Sequence, residues 1–226
     1  MNLFASFDPF CQLLNIMLSL NWISSMLMFI LFPITMWISI NRNYSCMNSL
    51  LSILSKEFKL VMTGKKTSSH MLFSSLLFTI FFNNFMGLFP YIFTSSSHLC
   101  FSLMFSLSLW FSFMLFGWIN NTNLMFCHLV PVGTPTPLMP LLVCIESISN
   151  IIRPGTLSIR LTANMISGHL LLTLIGNQGM NLNQIMILML ILIQSLLMAL
   201  EISVSAIQSY VFSILSSLYS GEINHD

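Results

Sequence analysis

The sequence predicts an all-α integral membrane protein with five membrane-crossing segments and one interfacial amphipathic helix, the last two crossings being long, oblique helices that form a hairpin. Three observations lead there. Of 226 residues, 56% are hydrophobic and 6% are charged, whereas a soluble domain carries about 25% charged residues. The apolar residues fall in runs long enough to cross about 30 Å of hydrocarbon. The last two runs are far longer than an upright crossing requires. A chain of this composition exposes more apolar surface than water tolerates, so its solvent is lipid. The net charge of +1 offers no basic field for counterion release, and no nucleic-acid partner is expected. Residues 1–226 read as a single membrane domain.

Residues 1–70 hold the first span and the interfacial helix. The span runs from Trp22 to Ile40 without a charge, and Arg42 follows. From Met47 to Val61 the pattern changes: Met47, Leu50, Leu51, Leu54, Phe58 and Val61 recur at helical spacing, while Asn48, Ser52, Lys56, Glu57 and Lys59 take the other face. Such a helix is too polar to span and is expected to lie in the interface, ending at Gly64-Lys65-Lys66. Residues 71–119 form a two-span hairpin, Met71–Phe93 and Leu99–Ile119, joined by the turn Thr94-Ser95-Ser96-Ser97-His98. Five of the seven basic residues (Arg42, Lys56, Lys59, Lys65, Lys66) lie in one loop, which places that loop on the cytoplasm-equivalent side. The N-terminus and the Ser-rich turn are then expected on the opposite side. Asn120 to Pro137, with Pro131, Gly133, Pro135 and Pro137, reads as an irregular loop. His70, His98, His128 and His225 fall at span ends, where a histidine serves as a wet anchor.

Residues 138–218 form the long oblique hairpin. Leu138–Ile175 and Ile185–Leu218 read as helices of roughly 57 and 51 Å at the α-helical rise. Either they break or they lie steeply oblique around a turn at Gly176-Asn177-Gln178-Gly179, since ordinary tilt of about 20° does not absorb such an excess. Pro154-Gly155 allows the first to bend.

The five cysteines (Cys11, Cys46, Cys100, Cys127, Cys144) are odd in number and never form a CxxC pair. They read as apolar filler, and no metal site or cofactor is expected. The N-terminus has no basic n-region or Arg-rich amphipathic stretch, so neither a cleaved signal nor an imported presequence is expected.

Ionisable residues inside the hairpin are the candidates for function. A charge at mid-membrane costs from about 3 to more than 10 kcal/mol, so each needs a partner or water. Glu146, Arg153 and Arg160 are spaced by seven and form one stripe at about 100° per residue. His169 points to the opposite side. On the last helix Gln194, Glu201 and Gln208 are again spaced by seven, with Ser205 on the same face. One helix offers a basic centre with an imidazole behind it, and the other a carboxylate between two amides, which suits a proton path. Each has a plainer reading. Arg153 and Glu146 can form a structural ion pair, and Glu201 can hydrogen-bond a neighbouring helix. Arg160 has no acid four residues away on either side, so its counter-charge is expected from another chain.

Ser158-Ile-Arg-Leu-Thr-Ala-Asn-Met-Ile-Ser-Gly-His-Leu-Leu171 resembles the signature of the a subunit of rotary ATP synthases. Further matches are Phe82-Asn-Asn-Phe-Met-Gly-Leu-Phe-Pro-Tyr91, Ile148-Ser-Asn-Ile-Ile-Arg-Pro-Gly155 and Ala206-Ile-Gln-Ser-Tyr-Val-Phe212 followed by Leu218-Tyr219. The chain is most similar to mitochondrial, arthropod-like members. Abundant Met and Phe against only four alanines fit an AT-rich genome, and a protein made inside the organelle needs no presequence.

The resemblance implies a non-catalytic, proton-translocating subunit of the ATP synthase membrane sector, in the mitochondrial inner membrane. Its N-terminus would face the intermembrane space and its C-terminus the matrix. Its expected partners are the c-subunit ring, other membrane and peripheral-stalk subunits, and the bilayer. Arg160 would face the ring and separate two aqueous half-channels, because a cation holds a passing carboxylate in its charged form. His169 and Glu201 would form the inlet pair, Asn164 and Gln208 would neighbour the arginine, and Glu146 would lie on the exit side. Pairing Arg160 with Gln208 and His169 with Glu201 requires opposite positions to total 368 to 370, against about 356 for a symmetric turn at Gln178. The second helix is thus expected to overhang a lopsided turn. A stand-alone channel or ion-coupled transporter remains an alternative, although paired broken helices are not legible. An intramembrane hydrolase would need a metal or nucleophile motif, and none is legible.

Overall fold

The computed structural model describes residues 7–13, 16–27, 42–62, 69–90, 92–120, 122–130, 135–179 and 183–223. Near the N-terminus, β1 (Cys11–Leu13) and β2 (Ile16–Leu18) pair antiparallel with Cys11 opposite Leu18. A 3-10 helix, Leu20–Leu27, follows. Most of the expected first span lies outside the described residues, and its opening residues are wound as 3-10 and not α. The rest is α-helical: α1 (Arg42–Val61), α2 (Ser69–Gly87), α3 (Leu99–Asn120), α4 (Thr122–His128), α5 (Met139–Gln178) and α6 (Gln184–Ile223).

Among the described residues, three stretches are long and apolar enough to cross a membrane: Leu99–Asn120, Thr136–Gln178 and Gln184–Gly221. Several boundaries move from those expected. α1 starts five residues before Met47, because Asn43 to Cys46 carry nothing that breaks a helix. α2 stops at Gly87 and not Phe93, since Pro90 three residues on disfavours further helix before it. The Asn120–Pro137 connection is not wholly irregular. It contains the two-turn α4 before Pro131, and a 3-10 turn, Thr136–Leu138, with Pro137 in its first turn. α6 continues past the expected end at Leu218, to Ile223.

Both long helices run unbroken for 40 residues each, α5 straight through Pro154. Serine lets α6 pack closely. Ser205, Ser209, Ser213 and Ser217 recur every four residues and are buried, and each hydroxyl donates to the carbonyl three residues back at 2.7–2.9 Å. A hydroxyl satisfied within its own helix can be buried without a partner across the interface. The principal neighbour of α6 is α2, while α3 lies along α5. One core cluster joins Leu76 and Ile80 of α2, Leu157 and Leu161 of α5, and Phe212 of α6. A second joins Phe58 of α1 to Phe73 and Leu77 of α2. The apolar face of α1 therefore packs on protein at Phe58, while Leu50 remains exposed.

The Ser-rich turn departs from expectation. It forms a 3-10 turn, Ser95–Ser97, whose residues are buried, and it packs on α5. Two histidines are also drier than anchors would be. His70 is buried with Nδ1 unpartnered among the described residues, and His98 Nε2 lies 3.0 Å from the Phe7 carbonyl oxygen. His128 and His225 have side chains outside the described set. Cys46, Cys100, Cys127 and Cys144 are free and exposed, so they face outward and do not fill a core.

Candidate functional site

Arg160 stands on the outer face of α5. Ile152, Thr156, Ile159, Arg160, Ala163 and Ser167 are all exposed and repeat at helical spacing. On the other side Leu157, Ser158, Leu161, Thr162 and Met165 are buried against the bundle. The division follows from sequence: apolar Leu157, Leu161 and Met165 recur at i, i+4 and i+8 with the small Ser158 and Thr162 beside them, and Arg160 falls outside that stripe. Among the described residues its guanidinium has no ion-pair partner. Asn164, one turn on, is half-buried, and its backbone carbonyl accepts from the Ser167 hydroxyl at 3.1 Å. Gln208 is half-buried on α6.

Glu201 heads the serine stripe of α6, four residues before Ser205, and so points inward. It is 7% exposed, and neither carboxylate oxygen has a hydrogen-bond partner among the described residues. The carboxyl lies on Gly168 of α5: a Cβ there would stand 2.9 Å from Glu201 Cδ and Oε1. His169 follows Gly168 directly. Its ring packs edge-on to Phe7 at 6.2 Å between centroids and lies against the backbone of Gly87. Its Nε2 is buried without a partner among the described residues.

The hairpin register is visible at three glycines. Gly168 faces Glu201, Gly176 faces Gln194 and Gly179 faces Leu190, pairs whose positions total 369 or 370. This is the register range expected above and not that of a symmetric turn. Six residues of α6, Gln184 to Met189, come before the partner of Gly179, and all are exposed. The turn is lopsided because α6 overhangs the end of α5.

Glu146 takes the plainer of its contacts. Its Oε1 lies 3.5 Å from Arg153, whose guanidinium also sits over the Tyr219 ring at 4.8 Å. The structure thus brings Glu201 to the residue beside His169 and Glu146 to Arg153, and leaves Arg160 apart on the outer surface. Sequence reasoning assigned no role to Asn84 or Ser96. Asn84 is fully buried, and among the described residues neither its amide atoms nor the buried Ser96 hydroxyl has a hydrogen-bond partner. The adjacent asparagines in an apolar helix were the available signal for the first. Nothing in a run of three serines distinguishes the second.

Fold and site define an α-helical membrane protein whose long helices carry ionisable groups, one outside the bundle and others within. Residues 17–221 match the profile of the family described as ATP synthase A chain. ATP synthase subunit a of Anopheles gambiae is 56% identical over 225 residues, covering 99% of each chain. The same subunit of Anopheles quadrimaculatus is 55% identical over 225 residues and that of Drosophila melanogaster 54% over 224, each with 99% coverage of both chains. The chain belongs to the ATP synthase A chain family.

Proposed function

We propose that this chain is the non-catalytic subunit that guides protons through the ATP synthase membrane sector of the mitochondrial inner membrane, by two half-channels meeting at Arg160. The observation that carries the reading is the split between an outward Arg160 and an inward Glu201, neither with a polar partner among the described residues. A bare guanidinium on a lipid-facing helix is too costly to stand alone, so a carboxylate on another chain must meet it. A ring of c subunits presenting such carboxylates satisfies Arg160 each time one passes. The same cation keeps that carboxylate ionised and blocks direct proton passage. A stand-alone channel would leave Arg160 without a counter-charge.

Protons enter by the Glu201 and His169 side, where a partnerless carboxylate and imidazole nitrogen suit a wet route. Asn164 and Gln208 flank the arginine, and Glu146 stands on the exit side. In this reading the chain crosses the membrane five times. α1 lies in the interface, α5 and α6 run oblique, the N-terminus faces the intermembrane space and the C-terminus the matrix. The unbroken course of both long helices supports obliqueness over breakage.

The test is proton transport by the assembled complex in vesicles. Arg160→Ala should abolish ATP-driven proton pumping while leaving passive proton leak through the membrane sector. Glu201→Gln should slow proton uptake without uncoupling, since it removes a titrating group and not the barrier. Full ATP synthesis by Arg160→Ala would overturn the proposal.

A further inference from the structure

The N-terminal segment is tied to the bundle by contacts that the proton route does not use. The Ser-rich turn supplies the platform. Ser95, Ser96 and Ser97 are buried, and the Ser97 hydroxyl donates to the Thr94 carbonyl at 2.7 Å. The turn sits close on α2, since a Cβ on Gly87 would stand 2.9 Å from Thr94 Cγ2. His98 follows the turn, and its ring meets those of Trp22 and Phe93 in one cluster with centroids 5.1–5.7 Å apart. The Ser24 hydroxyl donates to the Phe93 carbonyl at 2.9 Å.

From this platform one contact reaches the Phe7 backbone. His98 Nε2 lies 3.0 Å from the Phe7 carbonyl oxygen, across 91 positions of sequence. A carbonyl only accepts, so Nε2 of His98 carries the hydrogen. Asn21 Nδ2 donates to the next carbonyl, that of Asp8, at 3.1 Å. Two consecutive carbonyls are thus held by donors distant in sequence, which fixes the backbone from which the Phe7 ring projects. That ring meets His169 edge-on at 6.2 Å between centroids. His169 also lies against the Gly87 backbone, while its Nε2 is buried without a partner among the described residues. The outer torsion of a histidine side chain has broad minima, so α5 alone does not fix where Nε2 points. Contacts around the ring do.

We propose that Phe7 and His98 are positioning residues for proton uptake: His98 fixes the Phe7 backbone, and the Phe7 ring confines the His169 imidazole so that Nε2 stays turned into the protein. This rests on the reading that protons enter past His169 and Glu201. Proton transfer needs donor and acceptor within hydrogen-bond reach, so a ring free to turn passes protons more slowly.

The test uses the intact ATP synthase complex in vesicles and two readouts, each taken per assembled complex. Modification of His169 by diethyl pyrocarbonate, followed by peptide mass spectrometry, reports how far the imidazole is confined without reference to transport. ATP synthesis driven by an imposed proton gradient reports uptake. Phe7→Ala should raise modification and lower synthesis about two- to tenfold, the worth of an aromatic pair. His98→Leu should do the same about fivefold, the worth of one hydrogen bond. The double variant should be no worse than the worse single one, because both act through the same ring. His98→Gln keeps a side-chain N–H donor and should return both rates to within about twofold of the parent. Phe10→Ala, which removes an exposed ring of the same segment, should change neither. Unchanged modification of His169 in Phe7→Ala and His98→Leu would overturn the proposal, whatever His169 does in transport. Additive losses in the double variant, or no rescue by His98→Gln, would overturn it by marking both residues as structural only. Parental synthesis by His169→Gln would instead overturn the reading of the inlet, and the proposal with it.

Discussion

Gly168 shows how one residue sets the position of a functional group. The Glu201 carboxyl occupies the place where any larger side chain would put its Cβ, 2.9 Å from Cδ and Oε1. A Cβ essentially never stands that close to another heavy atom, so a methyl group must push the carboxyl out of its seat. The carboxyl is the free end of a flexible side chain, so moving it costs the fold little and the effect falls on proton transfer. Gly168→Ala is therefore expected to reduce ATP-coupled proton transport about tenfold without raising passive leak, since Arg160 is untouched. Asp in place of Glu201 shortens the side chain by one methylene and should restore part of the loss in the double variant. Proton-pumping rates of the two variants in vesicles check this. Equal rates for Gly168→Ala and the parent chain would mean that the carboxyl does not act from this seat.

At the scale of elements, α6 combines two surfaces with different tasks. Its serine face, in the second half of the helix, is buried, with Ser213 and Ser217 wholly covered, while its first part, from Ile185 through Leu200, is mostly apolar and mostly exposed. A serine at such a contact keeps the helix axes close while its hydroxyl stays satisfied by its own backbone. Ser213→Leu should force α6 away from its neighbours and lower the stability of the membrane sector by about 1–3 kcal/mol. Ser203→Leu, on the exposed side of the same helix, should change it little. Thermal dissociation of the purified complex distinguishes the two. A comparable loss in both would show that the serine face is not what seats the helix.

For the whole molecule, length decides posture. A 40-residue helix is about 60 Å long, twice the roughly 30 Å of hydrocarbon. If α6 stays in the bilayer, depth should change by about 0.75 Å per residue and not the 1.5 Å of an upright helix. Spin labels at Leu188, Ile202 and Leu218 in the reconstituted complex would read this from accessibility to oxygen and to a polar relaxation agent. A slope near 1.5 Å would defeat the oblique reading. Orientation is a separate expectation from the five-to-two distribution of basic residues: a membrane-impermeant amine label should reach Lys65 from the matrix side only.

Much of this was legible in the chain itself. Scarcity of charge determined the solvent, because no other medium suits so apolar a surface. Unbroken apolar runs determined the two long helices to within a few residues, since every backbone group in lipid must be paired inside its own helix. The spacing of Arg160 and His169 determined that they face opposite ways, because helical angles are local. Tertiary structure decided what depends on neighbours distant in sequence. It put Glu201 on Gly168, buried the Ser-rich turn and Asn84, and laid Phe7 on His169. A run of serines reads the same whether it meets water or another helix, and only packing chooses between them. The lopsided hairpin register belongs to both. Sequence matching required it, but the physical cause lies in the contact of Gly168 with Glu201 and of Gly176 with Gln194, which no pattern within one helix contains.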